Sequence, residues 1–181
     1  MQPDWVEMVL SYWFGECDPQ AWFERSDAVD AVIGQRFRAL RGHLCGSFPH
    51  DVALTAEGSL AAIVVLDQFS RNLYRGSGQA FAADGLALWT AERAIAQGFD
   101  RRFDTDRRQF FYMPFEHSED RAAQARSIKL FASLQDEELI RYAHRHKEIV
   151  DRFGRFPHRN VAIGRISTPD EIEFLKDFEG F

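Results

Sequence analysis

Asp67 and Arg71 stand four residues apart, so on a helix a carboxylate and a guanidinium share one face. The pair reads in two ways. Asp67 can serve as a base or ligand while Arg71 grips a carboxylate or phosphate through its fork of donors. Alternatively the two pair with each other and also tie down Asn72 and Tyr74. A second stretch, Phe115-Glu116-His117-Ser118-Glu119-Asp120, sets three carboxylates and an imidazole within five positions. Such a set could share one metal ion. Ser118 capping a helix, with Glu119 and Asp120 in its partly positive first turn, explains three of those residues without a ligand. Glu116 and His117 are left over. The spacing matches no recognised metal motif, so no metal is expected. A third stretch, Arg152 to Asn160, gathers Arg155, His158, Arg159 and Asn160 around Phe153 and Phe156, with Gly154 and Pro157 bracketing a tight connection. It reads as a loop whose arginines pair with the acids of the second stretch, or as a pocket for an anionic ligand.

The candidate polar site is therefore Asp67, Arg71, Asn72, Glu116, His117, Asp120, Arg155, His158, Arg159 and Asn160. Acids dominate the second stretch and arginines weight the third, so the three stretches are expected to converge. His144 and His146 do not add a ligand pair, because two positions on a helix differ by about 200° of rotation. His146 instead joins the stripe Leu139, Ala143, Val150 and Phe153 as a hydrogen-bonded core residue. Ser70, Ser118, Cys17 and Cys45 lack an evident local base, and no Gly-x-Ser-x-Gly elbow occurs. Phosphate loops and dinucleotide fingerprints are absent, so no cofactor is expected. No catalytic residue is assigned, and whether the protein is an enzyme stays open.

The elements that position these stretches all read as helices. Trp5, Val6, Val9, Leu10, Trp13 and Phe14 share one face, and Gly15 stops that helix. Asp27 caps a second helix bearing Val29, Val32, Ile33, Phe37, Leu40 and Leu44. After a loop at Ser47 to Asp51, a third runs from Thr55 to about Leu73, apolar on every side between Leu60 and Leu66 and hence enclosed. Gly76-Ser77-Gly78 turns the chain into an alanine-rich helix that Gly98 ends. A short aromatic helix spans Arg107 to Met113 and is interrupted near Pro114. Helices follow at about Glu119 to Leu134 and Glu137 to Phe153, the latter ended by Gly154. Ser167-Thr168-Pro169-Asp170-Glu171 opens a closing helix to about Phe178. The fold class is all-α, with short turns favouring antiparallel helix pairs, in either a bundle or a superhelix.

With 181 residues, 45% of them hydrophobic, and no linker between halves, a single domain at 1-181 is expected. The 17 Phe point to a core of large rings. A net charge of -6 argues against nucleic acid as a partner. No apolar run is long enough to span a membrane, and no secretory signal opens the chain, so a cytoplasmic protein is expected. Two cysteines without metal spacing read as reduced thiols.

The same three stretches carry a resemblance. The strings Leu66-Asp67-Gln68-Phe69-Ser70-Arg71-Asn72, Tyr74-Arg75-Gly76, Pro114 to Asp120 and Arg152 to Asn160 resemble, in order, the bacterial domain-of-unknown-function family 924. The likeness runs from Tyr12-Trp13-Phe14-Gly15 to Ser167-Thr168-Pro169. It implies antiparallel helix pairs stacked in a tetratricopeptide-like right-handed superhelix, and it implies no known reaction. Ser70 departs from the family, which usually has proline there, so the helix is expected to run on more smoothly. Two functions follow. A superhelix presents a concave face, which favours a protein- or peptide-binding module. The alternative is an enzyme or binder of a small anionic ligand built on the Asp/Arg/Glu/His cluster. An open groove with exposed aromatics favours the first, and a closed polar pocket the second.

Overall fold

The computed structural model describes residues 4–178 and 180. Helices make up its regular structure, and no strand occurs among the described residues. These residues form two compact units. The first comprises Met1–Arg75 and Gln79–Pro114, and the second Gly76–Gly78 and Phe115–Phe181.

In the first unit, α1 (Asp4–Ser11) continues as a π-helical turn over Tyr12–Glu16, one residue past the glycine expected to stop it. Helix α2 (Asp27–Gly46) is capped by Ser26, whose hydroxyl accepts from the Val29 N–H; Asp27 is instead its first residue. Val32, counted on the buried stripe, is exposed, whereas Ile33, Phe37 and Leu44 are buried. Helix α3 (Ala56–Ile63) is capped by Thr55 and passes without a break through a π-helical turn, Val64–Phe69, into α4 (Ser70–Leu73). Every residue from Leu60 to Leu66 is wholly inaccessible, so the all-apolar run is the centre of this unit as its sequence demands. It packs against α1 and α5 (Asp84–Ala96). Ala87, Ala91 and Ala94 give α5 a flat buried face. Tyr12, Trp13 and Phe37 surround Phe69, with Phe37 4.9 Å and Trp13 5.4 Å from its ring centre.

Gly58 shows how tightly α3 is seated. A β-carbon there would stand 2.3 Å from the Val52 carbonyl oxygen, so only glycine fits. Helix α6 (Thr105–Glu116) corrects the sequence reading, since it runs through Pro114 instead of being interrupted there.

In the second unit, α7 (Arg121–Ala132) and α8 (Glu137–Phe153) form a helix pair joined by a short turn, the most extensive packing in the unit. Gly154 closes α8 at a φ of 72°, the left-handed conformation that favours glycine. Helix α9 (Pro169–Lys176) opens with a full capping box between Thr168 and Glu171. Its Phe174, with Phe153 and Phe178, packs on the buried Ile149, Val150 and Phe156. Both cysteines are free thiols, Cys17 buried and Cys45 exposed. No helix among the described residues is long and apolar enough to cross a membrane.

Candidate functional site

In the first unit, Asp67 sits fully buried in the π-helical turn with its Oδ1 3.0 Å from Arg71 Nη1. Arg71 also donates to both carboxylate oxygens of Asp84, at 3.0 and 3.1 Å, and to the Asp67 carbonyl at 2.9 Å. Burial pulls the guanidinium pKa down, but Asp67 and Asp84 outweigh it and hold the charge more firmly than usual. Two carboxylates thus already engage the group read as an anion clamp. Asn72 is tied elsewhere: its Nδ2 donates to Asp30 Oδ1 at 2.7 Å, and Arg75 also pairs with Asp30. Tyr74 lies under Arg41, whose Cζ is 4.8 Å from the ring centre. Ser70 is wholly buried and its Oγ accepts from Arg41 Nε at 3.1 Å. A hydroxyl at this position thereby bonds a buried guanidinium, and the helix continues as expected.

In the second unit, Asp120 rather than Ser118 caps α7, accepting from the Ala123 N–H at 2.8 Å; Ser118 Oγ accepts from the Asp120 N–H. Glu119 is taken by other work. It accepts from Arg165 on both oxygens, at 2.7 and 2.8 Å, and from the Phe156 N–H at 2.7 Å. Burial pushes its carboxyl up, and Arg165 with the Phe156 N–H more than reverses that, leaving its pKa lowered. Arg155 pairs with Glu171 of α9 and not with the second stretch, as its charge had suggested. Asn160 donates to Ser167 Oγ and Glu171 Oε2, and Arg159 Nη2 donates to the His117 carbonyl at 2.9 Å. His158 stacks on Phe178 with ring centres 5.2 Å apart. The second and third stretches therefore do meet, with Glu119 on the Phe156 N–H and Arg159 on the His117 carbonyl.

Glu116 and His117, left without a role by capping, lie beside His146 of α8. The three offer donor atoms that are all within 4.8 Å of one another. His146 is buried, and its Nδ1 donates to the Tyr142 carbonyl at 2.9 Å while lying 3.4 Å from Glu116 Oε1. Burial, then the neighbouring His117, pushes the His146 pKa well below the ordinary value, so its imidazole is neutral at pH 7. His146 is thus the hydrogen-bonded core residue its stripe implied, and it is also a site neighbour. Chain spacing gave no sign of that, because 28 intervening residues separate it from His117. Glu171 and Arg165 were missed for the same reason. The capping box marks Glu171 locally, but nothing along the chain names Arg155 as its partner.

A shallow groove of about 400 Å³ opens between α8 and α9. Ile149, Phe174 and Phe178 form its apolar lining, and Arg145, Arg152, Glu148, Glu173 and Asp177 its charged rim.

No curated protein matches the chain. The structure of a protein of unknown function from Agrobacterium tumefaciens, ATU0120, is similar to it, with 38% identity and a TM-score of 0.91. That similarity covers 96% of this chain and 97% of the other. The family described as bacterial protein of unknown function, DUF924, matches residues 9–179, and the chain belongs to it.

Proposed function

We propose that the protein is a protein- or peptide-binding module whose docking face is the α8–α9 groove. One observation carries this reading: the groove is open, and an apolar strip of Ile149, Phe174 and Phe178 lies within a rim that carries both signs of charge. Three acids face two arginines there, so a small anion meets no net attraction, whereas a peptide with an apolar anchor flanked by charges finds complementary groups. The same unit also exposes aliphatic side chains outside the groove's lining. Val161 and Ile166 are each 90% exposed, and Ile172 of α9 is 53% exposed. Val161 and Ile166 stand on a connection pinned by Arg165 to Glu119 and by Arg155 to the Ile166 carbonyl and Glu171. A surface held in place before binding loses little entropy on docking. By contrast, of the arginines that would make an anion pocket, Arg71 and Arg155 already pair with acids and Arg159 donates to the His117 carbonyl.

The test is selection of peptides from a random display library on the immobilised protein, followed by fluorescence polarisation. Selected peptides should bind wild type and lose at least about tenfold in affinity for Glu148→Arg/Asp177→Arg, which makes the mixed rim basic without touching the apolar lining. Peptides that bind that variant as tightly as wild type would refute the groove.

A further inference from the structure

We propose that Glu116, His117 and His146 form a binding site for a divalent first-row transition-metal ion of the zinc type. The proposal goes beyond the peptide-binding reading and stands without it. Two imidazoles and one carboxylate are a nitrogen-rich donor set, which suits zinc, cobalt or nickel and not calcium or magnesium. The donors come from two helical segments: Glu116 ends α6, His117 follows it, and His146 lies in α8.

The backbone that carries them is fixed. Gln124 Nε2 donates to the carbonyls of Glu116 at 2.6 Å and Ser118 at 2.7 Å, and Arg159 holds the His117 carbonyl between them. Three successive carbonyls are thereby tied, the kind of support a metal site needs to keep its ligands in place. The His146 ring is oriented in the same way. A carbonyl can only accept, so Nδ1 carries the proton given to Tyr142 and the lone pair lies on Nε2.

A tetrahedral ion with bonds of about 2.1 Å keeps its donors about 3.4 Å apart, closer than the 4.8 Å within which the three side chains offer donor atoms, so they must draw together and turn the His146 Nε2 to the ion. Glu116 and His146 are buried, while His117 is only partly so and stands beyond the helix end, which makes it the ligand that moves. Its partial exposure also leaves an entry path. Arg159 works against a cation, since its charge bears on His146, and this site should therefore bind more weakly than a fully enclosed structural zinc.

The experiment uses metal-stripped full-length protein. Cobalt(II) is titrated and its visible absorption followed, and Tm is measured with and without excess Zn2+. Wild type should saturate near one cobalt per chain and gain roughly 5 °C with zinc. His117→Ala, and His117→Gln as a less disruptive second variant, should keep the metal-free Tm within a few degrees and lose both signals. His144→Ala, at an exposed position of the same helix as His146, should keep both. No cobalt band in wild type, no zinc shift, or a band that survives in both His117 variants overturns the proposal. So does loss of the signals in His144→Ala.

Discussion

Arg155 grips Glu171 side-on through one edge of its guanidinium: Nε donates to Oε1 at 2.6 Å and Nη2 to Oε2 at 2.8 Å. Glu171 also accepts from the Thr168 N–H at 2.7 Å and from Asn160 at 3.3 Å, so one buried carboxylate joins α9 to the connection before it. A residue that entered as a capping acid is the hub of the third stretch.

The pairing has a pH consequence. Arg155, set against the cost of burial, together with the Thr168 N–H lowers the Glu171 pKa to about 2. Its unfolded value is higher, so below that value the unfolded chain binds a proton that the folded one refuses. The contribution is therefore complete above about pH 4.5 and lost as pH falls toward about 2. Urea midpoints measured from pH 7 to pH 2.5 should fall across that window in wild type, and less steeply in Glu171→Gln. The Gln variant should itself be less stable at pH 7 by roughly 1.5–3 kcal/mol, the range for hydrogen bonds to a charged group, since Arg155 is part-exposed and water can still solvate it.

Ile63→Ala removes a wholly buried side chain from the centre of the first unit and should cost roughly 2–5 kcal/mol. Chemical denaturation monitored by tryptophan fluorescence reads this directly. A midpoint matching wild type would place α3 at the periphery.

Gly58→Ala should be destabilising although alanine favours helices, because the new β-carbon falls 2.3 Å from a backbone oxygen and 2.6 Å from the Thr55 hydroxyl. A loss of roughly 1–3 kcal/mol is expected, as for an overpacked core. A Tm at or above wild type would show that the Val52–Leu54 turn yields freely.

Arg159→Ala separates the structural and anion-pocket readings of the third stretch. The side chain is buried, lies with Cζ 4.5 Å from the Phe156 ring centre and bonds the His117 carbonyl. Its loss should lower stability by roughly 1.5–3 kcal/mol, the range for a hydrogen bond to a charged group. Phosphate or carboxylate should leave the wild-type Tm unchanged. An anion-dependent rise in wild type that vanishes in Arg159→Ala would restore the pocket.

What the sequence made legible follows local rules. Helix α8 has the bounds that its stripe and Gly154 imply, and the Thr168 box starts α9 where Thr-Pro-x-Glu says it should. The enclosed run at Leu60 to Leu66 followed from composition alone. The misses are non-local. The π-helical turn at Val64–Phe69 leaves no mark in an all-apolar run, because every side chain there is buried whichever way the backbone winds. The run of α6 through Pro114 overrides the usual helix-breaking rule. Charge told which residues would pair, but not with whom: Arg155 chose Glu171 and Glu119 chose Arg165. The Glu116–His117–His146 group was half visible, since its first two members were the residues that capping could not explain.

The docking face is tested most directly by amide chemical-shift mapping of the labelled protein with a library-selected peptide. The peptide should move resonances of Arg145, Glu148, Ile149 and Arg152 on α8 and of Glu173, Phe174, Asp177 and Phe178 at α9, in saturable fashion. Shifts confined to other helices, with these eight unmoved at saturation, would contradict the α8–α9 groove as the binding face.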